Sequence, residues 1–193
     1  MGKILIVIGD ASEAMDTLYP YYRVQEEGFK AVVAAPDRRT YHLVMHEIPP
    51  GWEVTREGPS YHLASDVAFR EIDPTEYLGL FLSGGRAPEY LRYDKYLMDI
   101  VHHFFEAQKS VASVCHGAEI LAAADVIRGK RVATVPKCQF DIEICGATFV
   151  DQGCVRDGNL VSARTWHDNA PYMKEFIRML LDARQLQNKT SIG

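Results

Sequence analysis

A cysteine at position 115 stands where a short buried strand is predicted to turn sharply into a helix. The strand pattern covers residues 110–114, and Gly117 removes a side chain where the backbone must double back. This is the arrangement of a nucleophile elbow, which presents a reactive side chain above a sheet, beside the free amides of a helix N-terminus. Those amides favour the thiolate form of Cys115. The alternative is a small, buried and inert thiol, as most free cysteines are.

The other three cysteines lie at positions 138, 145 and 154. None of the four forms a Cys-x-x-Cys pair, which disfavours a zinc ribbon or a thioredoxin-type site. We therefore predict free thiols, no metal and no cofactor. His42 and His46 are four residues apart, but their segment carries turn signals, so we interpret both as solvent-facing polar residues.

Short apolar runs alternate with helical patterns along the whole chain. The runs that predict strands cover residues 3–8, 31–35, 78–82, 110–114 and 132–135, with a hairpin formed by 148–155 and 160–163. The patterns that predict helices cover residues 12–27, 97–105, 116–124, 140–145 and 172–181. The region from 41 to about 70 contains turn signals, and we expect short, irregular β pieces there.

This alternation predicts an α/β fold, a flavodoxin-like doubly wound parallel sheet in three αβα layers. We predict one domain over residues 1–193, with a small β-rich edge insertion at about 41–70. Ligands bind such sheets beyond the carboxyl ends of the strands. That rule selects three junctions, at residues 9–16, 83–89 and 114–117.

Composition excludes several classes of function. The chain has 193 residues, 47% of them apolar and 24% charged, and a net charge of −5, which is ordinary for a globular protein. A nucleic-acid binder would show a basic patch, and a membrane protein would show an apolar run of about 18 residues or more. We therefore expect a soluble cytoplasmic protein with no nucleic-acid or membrane partner.

Several motifs make the chain resemble the ThiJ/PfpI superfamily, and its PfpI-type protease and plant glyoxalase-III or deglycase-like branches in particular. Together the motifs span nearly the whole chain in the family's order. They are Tyr19-Pro20-Tyr21-Tyr22-Arg23, Gly84-Gly85-Arg86-Ala87-Pro88-Glu89, Ala112-Ser113-Val114-Cys115-His116-Gly117, Leu121-Ala122-Ala123-Ala124-Asp125 with Gly129-Lys130, and Asp157-Gly158-Asn159-Leu160-Val161.

The resemblance implies that Cys115 is the nucleophile and that the amides of Gly85 and His116 form an oxyanion site. Gly84 and Gly117 are the flanking glycines of that substrate-binding region. These roles are expectations from the family pattern, and the strand–turn–helix context of the residues supports them.

The resemblance also implies a carboxylate from the first helix, hydrogen-bonded to the thiol. The family usually has Glu four residues before the proline, whereas this chain has Asp16 before Pro20. Aspartate is one methylene shorter, so either the backbone approaches more closely or Glu13 takes its place. The alternative for both acids is stabilisation of the helix dipole.

His116 follows Cys115 directly, so we expect the two side chains to leave the turn in different directions. The imidazole then needs a third group to orient it. The resemblance implies that this group is Glu89 from an adjacent subunit, and therefore a homodimer or a larger homo-oligomer. The alternative is that Glu89 is a first-turn helix acid after Pro88.

Two other positions bear on the substrate. Trp166 follows a predicted strand end and could line the pocket. Val135 stands where related PfpI-type proteins carry Tyr, and it cannot donate a hydrogen bond from its side chain. A substrate range different from that of those relatives is the consequence.

Together these features predict a cofactor-independent cysteine enzyme that converts small reactive carbonyls, 2-oxoaldehydes to 2-hydroxy acids, in the manner of a glyoxalase III or a deglycase. One alternative is a cysteine peptidase or amide hydrolase with His116 as general base. Others are a hydratase that uses Asp16, and a non-enzymatic redox-sensing stress protein or chaperone.

Overall fold

Seven strands form one sheet at the centre of the protein. The computed structural model describes residues 2–190, so residue 1 and residues 191–193 of the predicted domain lie outside the described residues. From one edge to the other, the strands are β10 (Val155–Asp157), β11 (Leu160–Ala163), β7 (Ser110–Val114), β6 (Tyr77–Leu82), β1 (Lys3–Val7), β2 (Lys30–Ala35) and β5 (Val67–Ala68). All neighbours are parallel except β10 and β11.

The order of the parallel strands confirms the predicted flavodoxin-like fold. Counted along the chain, β2, β1, β6, β7 and β11 are the second, first, third, fourth and fifth long parallel strands. This is the doubly wound order, in which β2 is added on one side of β1 and the later strands on the other side. The order of the strands therefore reverses between β1 and β6. The carboxyl ends of those two strands and of β7 therefore border one crevice.

Helices cover both faces of the sheet. They are α1 (Ala14–Glu26), α2 (Pro88–Leu91), α3 (Lys95–Glu106), α4 (Ala118–Ala123), α5 (Gln139–Ile144) and α6 (Asn169–Thr190). In the part of the chain that the structure describes, no helix is long and apolar enough to cross a membrane.

The side chains of strand β1 pack against helices on both faces of the sheet. Leu5 and Val7 pack with α2–α5, whereas Ile4 and Ile6 pack with α1 and α6. Successive residues of a strand point to opposite faces, so a strand buried on both sides reads as a continuous apolar run. The three-layer αβα arrangement follows.

The region after β2 differs from the prediction of short, irregular β pieces. Strands β3 (Thr40–Glu47) and β4 (Arg56–Ala64) form a separate antiparallel hairpin of eight and nine residues. The hairpin is joined to the loop after β1, because the amide of Ala11 donates to the carbonyl of His42 at 2.8 Å and that of Val44 to the carbonyl of Ser12 at 2.9 Å. It thus forms a wall beside the carboxyl end of β1.

Smaller differences concern the second half of the chain. The strand predicted at 132–135 is only β8 (Arg131–Val132), which pairs with β9 (Thr148–Phe149) outside the main sheet. Because β9 pairs with β8, the predicted hairpin of 148–155 and 160–163 is shorter than expected. It consists of β10 and β11 only, with Gly158 at φ +61° in the turn. The helix predicted at 116–124 begins as a 3₁₀ turn, Cys115–Gly117, before α4.

Candidate active site

Cys115 lies in a strained turn at the carboxyl end of β7. Its φ is +55°, a left-handed conformation that costs a residue with a Cβ of order 1–3 kcal/mol. Gly117 allows the turn, since a Cβ there would lie 2.7 Å from the carbonyl oxygen of Leu82. The predicted sharp strand-to-helix turn is present.

The sulfur of Cys115 faces two backbone amides, those of Gly85 and His116. Burial raises the pKa of the Cys115 thiol, and the two amides act in the opposite direction because they stabilise a thiolate. Gly85 can present its amide because it adopts φ +86°. A Cβ on Gly85 would lie 2.3 Å from the carbonyl oxygen of Ala11.

Asp16 is the acid that lies beside the thiol. It is 0% exposed, and neither carboxyl oxygen has a hydrogen-bond partner of ordinary geometry among the described residues. Burial, followed by the charge of Glu13, raises its pKa well above the usual range, whereas interaction with the Cys115 thiol lowers it. The net effect favours a protonated Asp16 that can share its proton with the sulfur.

Gly84 leaves room for Asp16 beside the thiol. A Cβ at position 84 would lie 2.2 Å from Oδ2 of Asp16 and 2.6 Å from Cβ of Cys115. The missing side chain therefore allows the carboxyl group of Asp16 to lie next to Cys115. Of the two acids considered from the sequence, Asp16 is the one that interacts with the thiol, whereas Glu13 accepts a hydrogen bond from the helix backbone.

Glu13 has a different position, at the N-cap of α1. Its Oε2 accepts a hydrogen bond from the amide of Asp16 at 2.6 Å, which satisfies one of the unpaired donors of the first helical turn. Burial raises the pKa of Glu13, and this amide opposes the shift, as does the charge of His46. Glu13 therefore interacts both with the backbone of α1 and with His46 of the hairpin.

The interpretation of His46 as solvent-facing is wrong. Its residue is only 7% exposed, and Nε2 lies 3.0 Å from Oε2 of Glu57 on the neighbouring strand. The pairing of β3 with β4 shifts register between His42 and Val44. Such a bulge changes which face a side chain points to, and no local sequence signal announces it.

The expectation that the side chains of Cys115 and His116 diverge is also wrong. Nδ1 of His116 lies 3.2 Å from Sγ of Cys115, because the 3₁₀ turn and the positive φ of Cys115 curl the backbone. Burial, reinforced by the charge of His46, lowers the pKa of His116. A neutral imidazole next to a thiol is suited to accept its proton.

Glu89 lies at the start of α2 and forms an ion pair with Arg86 of the same chain, with Nε–Oε1 at 3.1 Å. Its charge raises the pKa of His116. Within the chain, Glu89 is thus the first-turn acid of the alternative interpretation, and its role across a subunit interface stays a prediction.

Trp166 begins the 3₁₀ helix Trp166–Asp168 after β11 and lines a cavity of about 580 Å³. Glu13, Met45 and His46 line the same cavity, so its wall is formed partly by the hairpin. The cavity has apolar side chains around one buried acid. Trp166 therefore lines a pocket, and it shares that pocket with Glu13.

A second group of polar side chains lies on the other side of His116. Glu119 and Cys138 are both buried, and their ligand atoms lie with that of His116 within 4.8 Å of one another. No local pattern in the sequence predicts this cluster, because its residues belong to segments that only the fold brings together. They are a set of His, carboxylate and thiol donors that could hold a metal ion.

Comparison with known proteins relates the chain to one family. The DJ-1/PfpI family profile matches residues 2–179. A deglycase of Pyrococcus abyssi is 36% identical over 178 residues, 92% of this chain and 99% of the relative. The protein/nucleic acid deglycase 2 of Escherichia coli is 37% identical over 179 residues, 92% of this chain and 97% of the relative.

The fold has relatives among solved structures. Drosophila melanogaster DJ-1beta superimposes with a TM-score of 0.77 at 16% identity, covering 95% of this chain and 96% of that one. The elbow at Cys115, the motifs along the chain and these matches agree. The chain belongs to the DJ-1/PfpI family.

Proposed function

We propose that the protein is a cysteine enzyme of the glyoxalase III or deglycase type, which converts 2-oxoaldehydes to 2-hydroxy acids without a cofactor. One observation carries the proposal: two backbone amides, the imidazole of His116 and the buried carboxyl group of Asp16 all interact with the thiol of Cys115. The deglycases that share over a third of the sequence support the same activity.

In the proposed reaction, the Cys115 thiolate adds to the aldehyde carbon and forms a hemithioacetal. The carbonyl oxygen takes up the negative charge, and the amides of Gly85 and His116 stabilise it. Both amides already lie beside the sulfur, and the oxygen of the adduct is only two bonds away from that atom.

A proton must next leave the former aldehyde carbon and arrive at the neighbouring carbon through an enediol. His116, whose Nδ1 lies 3.2 Å from the sulfur, takes the thiol proton when Cys115 attacks and passes it to the oxygen of the hemithioacetal, so the imidazole is neutral again and can act as the base. Asp16, which burial keeps protonated, is the acid beside the same atom. Water then cleaves the thioester, which releases the 2-hydroxy acid and restores the thiol, so the whole reaction consumes only water.

The cavity beside Glu13 supports a small substrate. Its volume of about 580 Å³ is sufficient for a small carbonyl compound or one glycated side chain. Trp166 and Met45 provide its apolar wall. We assign both the role of contacting the substituent of the substrate.

The assay uses methylglyoxal and glyoxal without glutathione, with identification of the 2-hydroxy acid product. Wild-type protein should turn over, and Cys115→Ala should be about 10³-fold slower or worse, because it lacks the nucleophile. Cys154→Ala is the matched control, since its partly buried thiol lies away from the elbow. No turnover by the wild type, or equal rates in wild type and Cys115→Ala, would contradict the proposal.

A second candidate is an amide hydrolase or peptidase, favoured by the direct contact of the thiol with Nδ1 of His116. Small fluorogenic amides and unfolded casein, run beside the carbonyl assay, separate the two. Amide cleavage that depends on Cys115, without carbonyl turnover, would replace the first candidate by the second.

We also propose that the protein acts in the cytoplasm as a homo-oligomer, in which the partner's copy of Glu89 orients His116. Four free thiols support a reducing compartment. The exposure of Glu89 leaves it accessible to a neighbouring subunit. Dilution to dissociation should lower specific activity, as should Glu89→Gln without loss of fold. A fully active monomer by light scattering would refute the shared site.

A further inference from the structure

A cluster of three different metal-binding side chains lies behind the elbow, and the proposed reaction uses only one of them. His116 follows the nucleophile, Glu119 lies in the first turn of α4, and Cys138 ends the 3₁₀ helix Pro136–Cys138. One ligand atom from each lies within 4.8 Å of the others. A nitrogen, an oxygen and a sulfur donor thus lie close to one another.

The contacts inside the cluster leave Oε1 of Glu119 available to bind a ligand. Sγ of Cys138 lies 3.7 Å from Oε1 of Glu119. The other oxygen, Oε2, faces Nη1 of Arg92 at 3.5 Å and makes no hydrogen bond among the described residues. Glu119 can therefore keep its ion pair with Arg92 through Oε2 while Oε1 binds something else.

We propose that His116, Glu119 and Cys138 form a binding site for a zinc-type divalent cation. Thiolate, imidazole and carboxylate are the ligands that zinc takes, at about 2.0–2.3 Å. A tetrahedral centre with such bonds places its ligand atoms about 3.3–3.8 Å apart, so the cluster needs to contract by roughly 1 Å. Side-chain rotation suffices for a movement of this size.

The two anionic ligands offset the charge of the cation. When the cation binds, the S–H bond of Cys138 breaks, a sulfur–metal bond forms, and one proton leaves to solvent. The cation adds two positive charges and the departing proton removes one, so the site gains one positive charge, and the thiolate and the Glu119 carboxylate lie directly against the ion. The fourth position stays available to water or to Cys115, whose sulfur lies beside His116.

Occupation of the site would change the activity of the enzyme, a consequence that rests on the proposed function. A metal-bound imidazole cannot accept the proton of Cys115. Zinc should therefore act as an inhibitor that binds next to the nucleophile, with His116 shared between the two functions.

The binding experiment uses cobalt as a spectroscopic substitute for zinc, added to metal-free wild-type protein. We expect one cobalt per chain and the charge-transfer band of a cobalt–thiolate bond, which excess zinc displaces. The band should disappear in Cys138→Ser and persist in Cys145→Ser, a partly buried thiol outside the cluster. It should also persist in Cys115→Ala, which separates this site from binding at the nucleophile.

Glu119→Gln keeps the shape of the side chain but replaces the carboxylate by an amide. This variant tests the site if Cys138→Ser fails to fold. Loss of an outer-shell partner alone weakens metal binding about 10–100-fold, so loss of this ligand should weaken zinc binding at least about 100-fold. No band in the wild type, a band that survives in Cys138→Ser, a band lost in Cys115→Ala, or unchanged affinity in Glu119→Gln would overturn the site.

A separate arm measures inhibition with methylglyoxal. Zinc should inhibit the wild type, and a concentration at least about 100-fold higher should be needed to inhibit Glu119→Gln, in line with its binding. If the protein turns over no carbonyl compound, the proposed function fails while the cobalt band still decides the metal site.

Discussion

The protein contains two buried pairs of a carboxyl group with a cysteine, one on each side of His116. In the first, Asp16 lies beside Cys115, and in the second, Glu119 lies beside Cys138. Burial raises the pKa of both thiols and of both acids. Residue type and burial are thus nearly the same in the two pairs.

Their surroundings differ. Cys115 has the amides of Gly85 and His116 to stabilise negative charge, and neither carboxyl oxygen of Asp16 has a hydrogen-bond partner among the described residues. Cys138 instead lies with its Sγ 3.7 Å from Oε1 of Glu119, and that acid is paired with Arg92. The first pair thus places a thiol beside amides that favour its ionised form, whereas the second places a thiol beside an acid that a neighbouring cation stabilises as a carboxylate.

Replacing Asp16 breaks the first pair most directly. Asp16→Asn removes the transferable proton and should lower kcat/KM about 10²–10⁴-fold, the range that one general acid contributes. Asp99→Asn is the control, because Asp99 is exposed and forms a surface ion pair with Lys95. Wild-type kcat/KM for Asp16→Asn would show that the carboxyl proton has no part in the reaction.

The same variant gives a pH-dependent stability change. An unfolded Asp releases its proton near pH 3.9, whereas folded Asp16 keeps it to higher pH because burial raises its pKa. The wild type therefore loses stability as pH rises between these two values, by about 1.4 kcal/mol per pH unit. Urea unfolding should show that Asp16→Asn gains on the wild type from about pH 4 to pH 7, and a constant difference would contradict the raised pKa.

Separating the two members of the first pair should have a smaller effect. In Gly84→Ala, the new Cβ would overlap Oδ2 of Asp16 and Cβ of Cys115. A displacement of about 1 Å in an active site can cost about 100-fold in rate, and the overlap should cost about 1–3 kcal/mol of stability. Gly58→Ala is the control, since its nearest neighbour is Cε of Met45 at 3.8 Å. Equal rates in the two variants would show that the close approach is not needed.

The backbones of the two cysteines give the smallest and most specific contrast. Cys115 has φ +55°, whereas Cys138 has φ −97°. Glycine relieves a left-handed conformation worth about 1–2 kcal/mol but loses about 0.5–1 kcal/mol through chain entropy. Cys115→Gly should therefore be at least as stable as Cys115→Ala, whereas Cys138→Gly should be less stable than Cys138→Ala. Denaturant unfolding of the four variants checks the sign at each position.

Much of the fold followed from local patterns. Continuous apolar runs identified the buried strands, and their alternation with helices identified the doubly wound sheet. The rule that ligands bind beyond the strand ends then selected the junctions after β1, β6 and β7, where Asp16, Gly85 and Cys115 lie. Strands, helices and strand ends could be predicted because each depends on the residues of one short segment.

What the sequence did not reveal depends on contacts between distant segments. The register shift in β3 that buries His46, and the meeting of Glu119 with Cys138, arise only when the chain folds. The position of His116 near the sulfur depends on one unusual backbone angle at Cys115, which residue spacing does not encode. The role of Glu89 involves a second copy of the chain and stays a prediction.

The contrast between the two thiols is tested most directly by competitive alkylation. Wild-type protein is treated with limiting iodoacetamide over a range of pH, and modification of Cys115 and Cys138 is measured in one sample by peptide mass spectrometry. The two residues are 3% and 1% exposed, so access differs little. Cys115 should react at least about tenfold faster near neutral pH, because the amides of Gly85 and His116 stabilise its thiolate and the imidazole of His116 can accept its proton. Equal rates, or faster modification of Cys138, would contradict the assignment of Cys115 as the activated nucleophile.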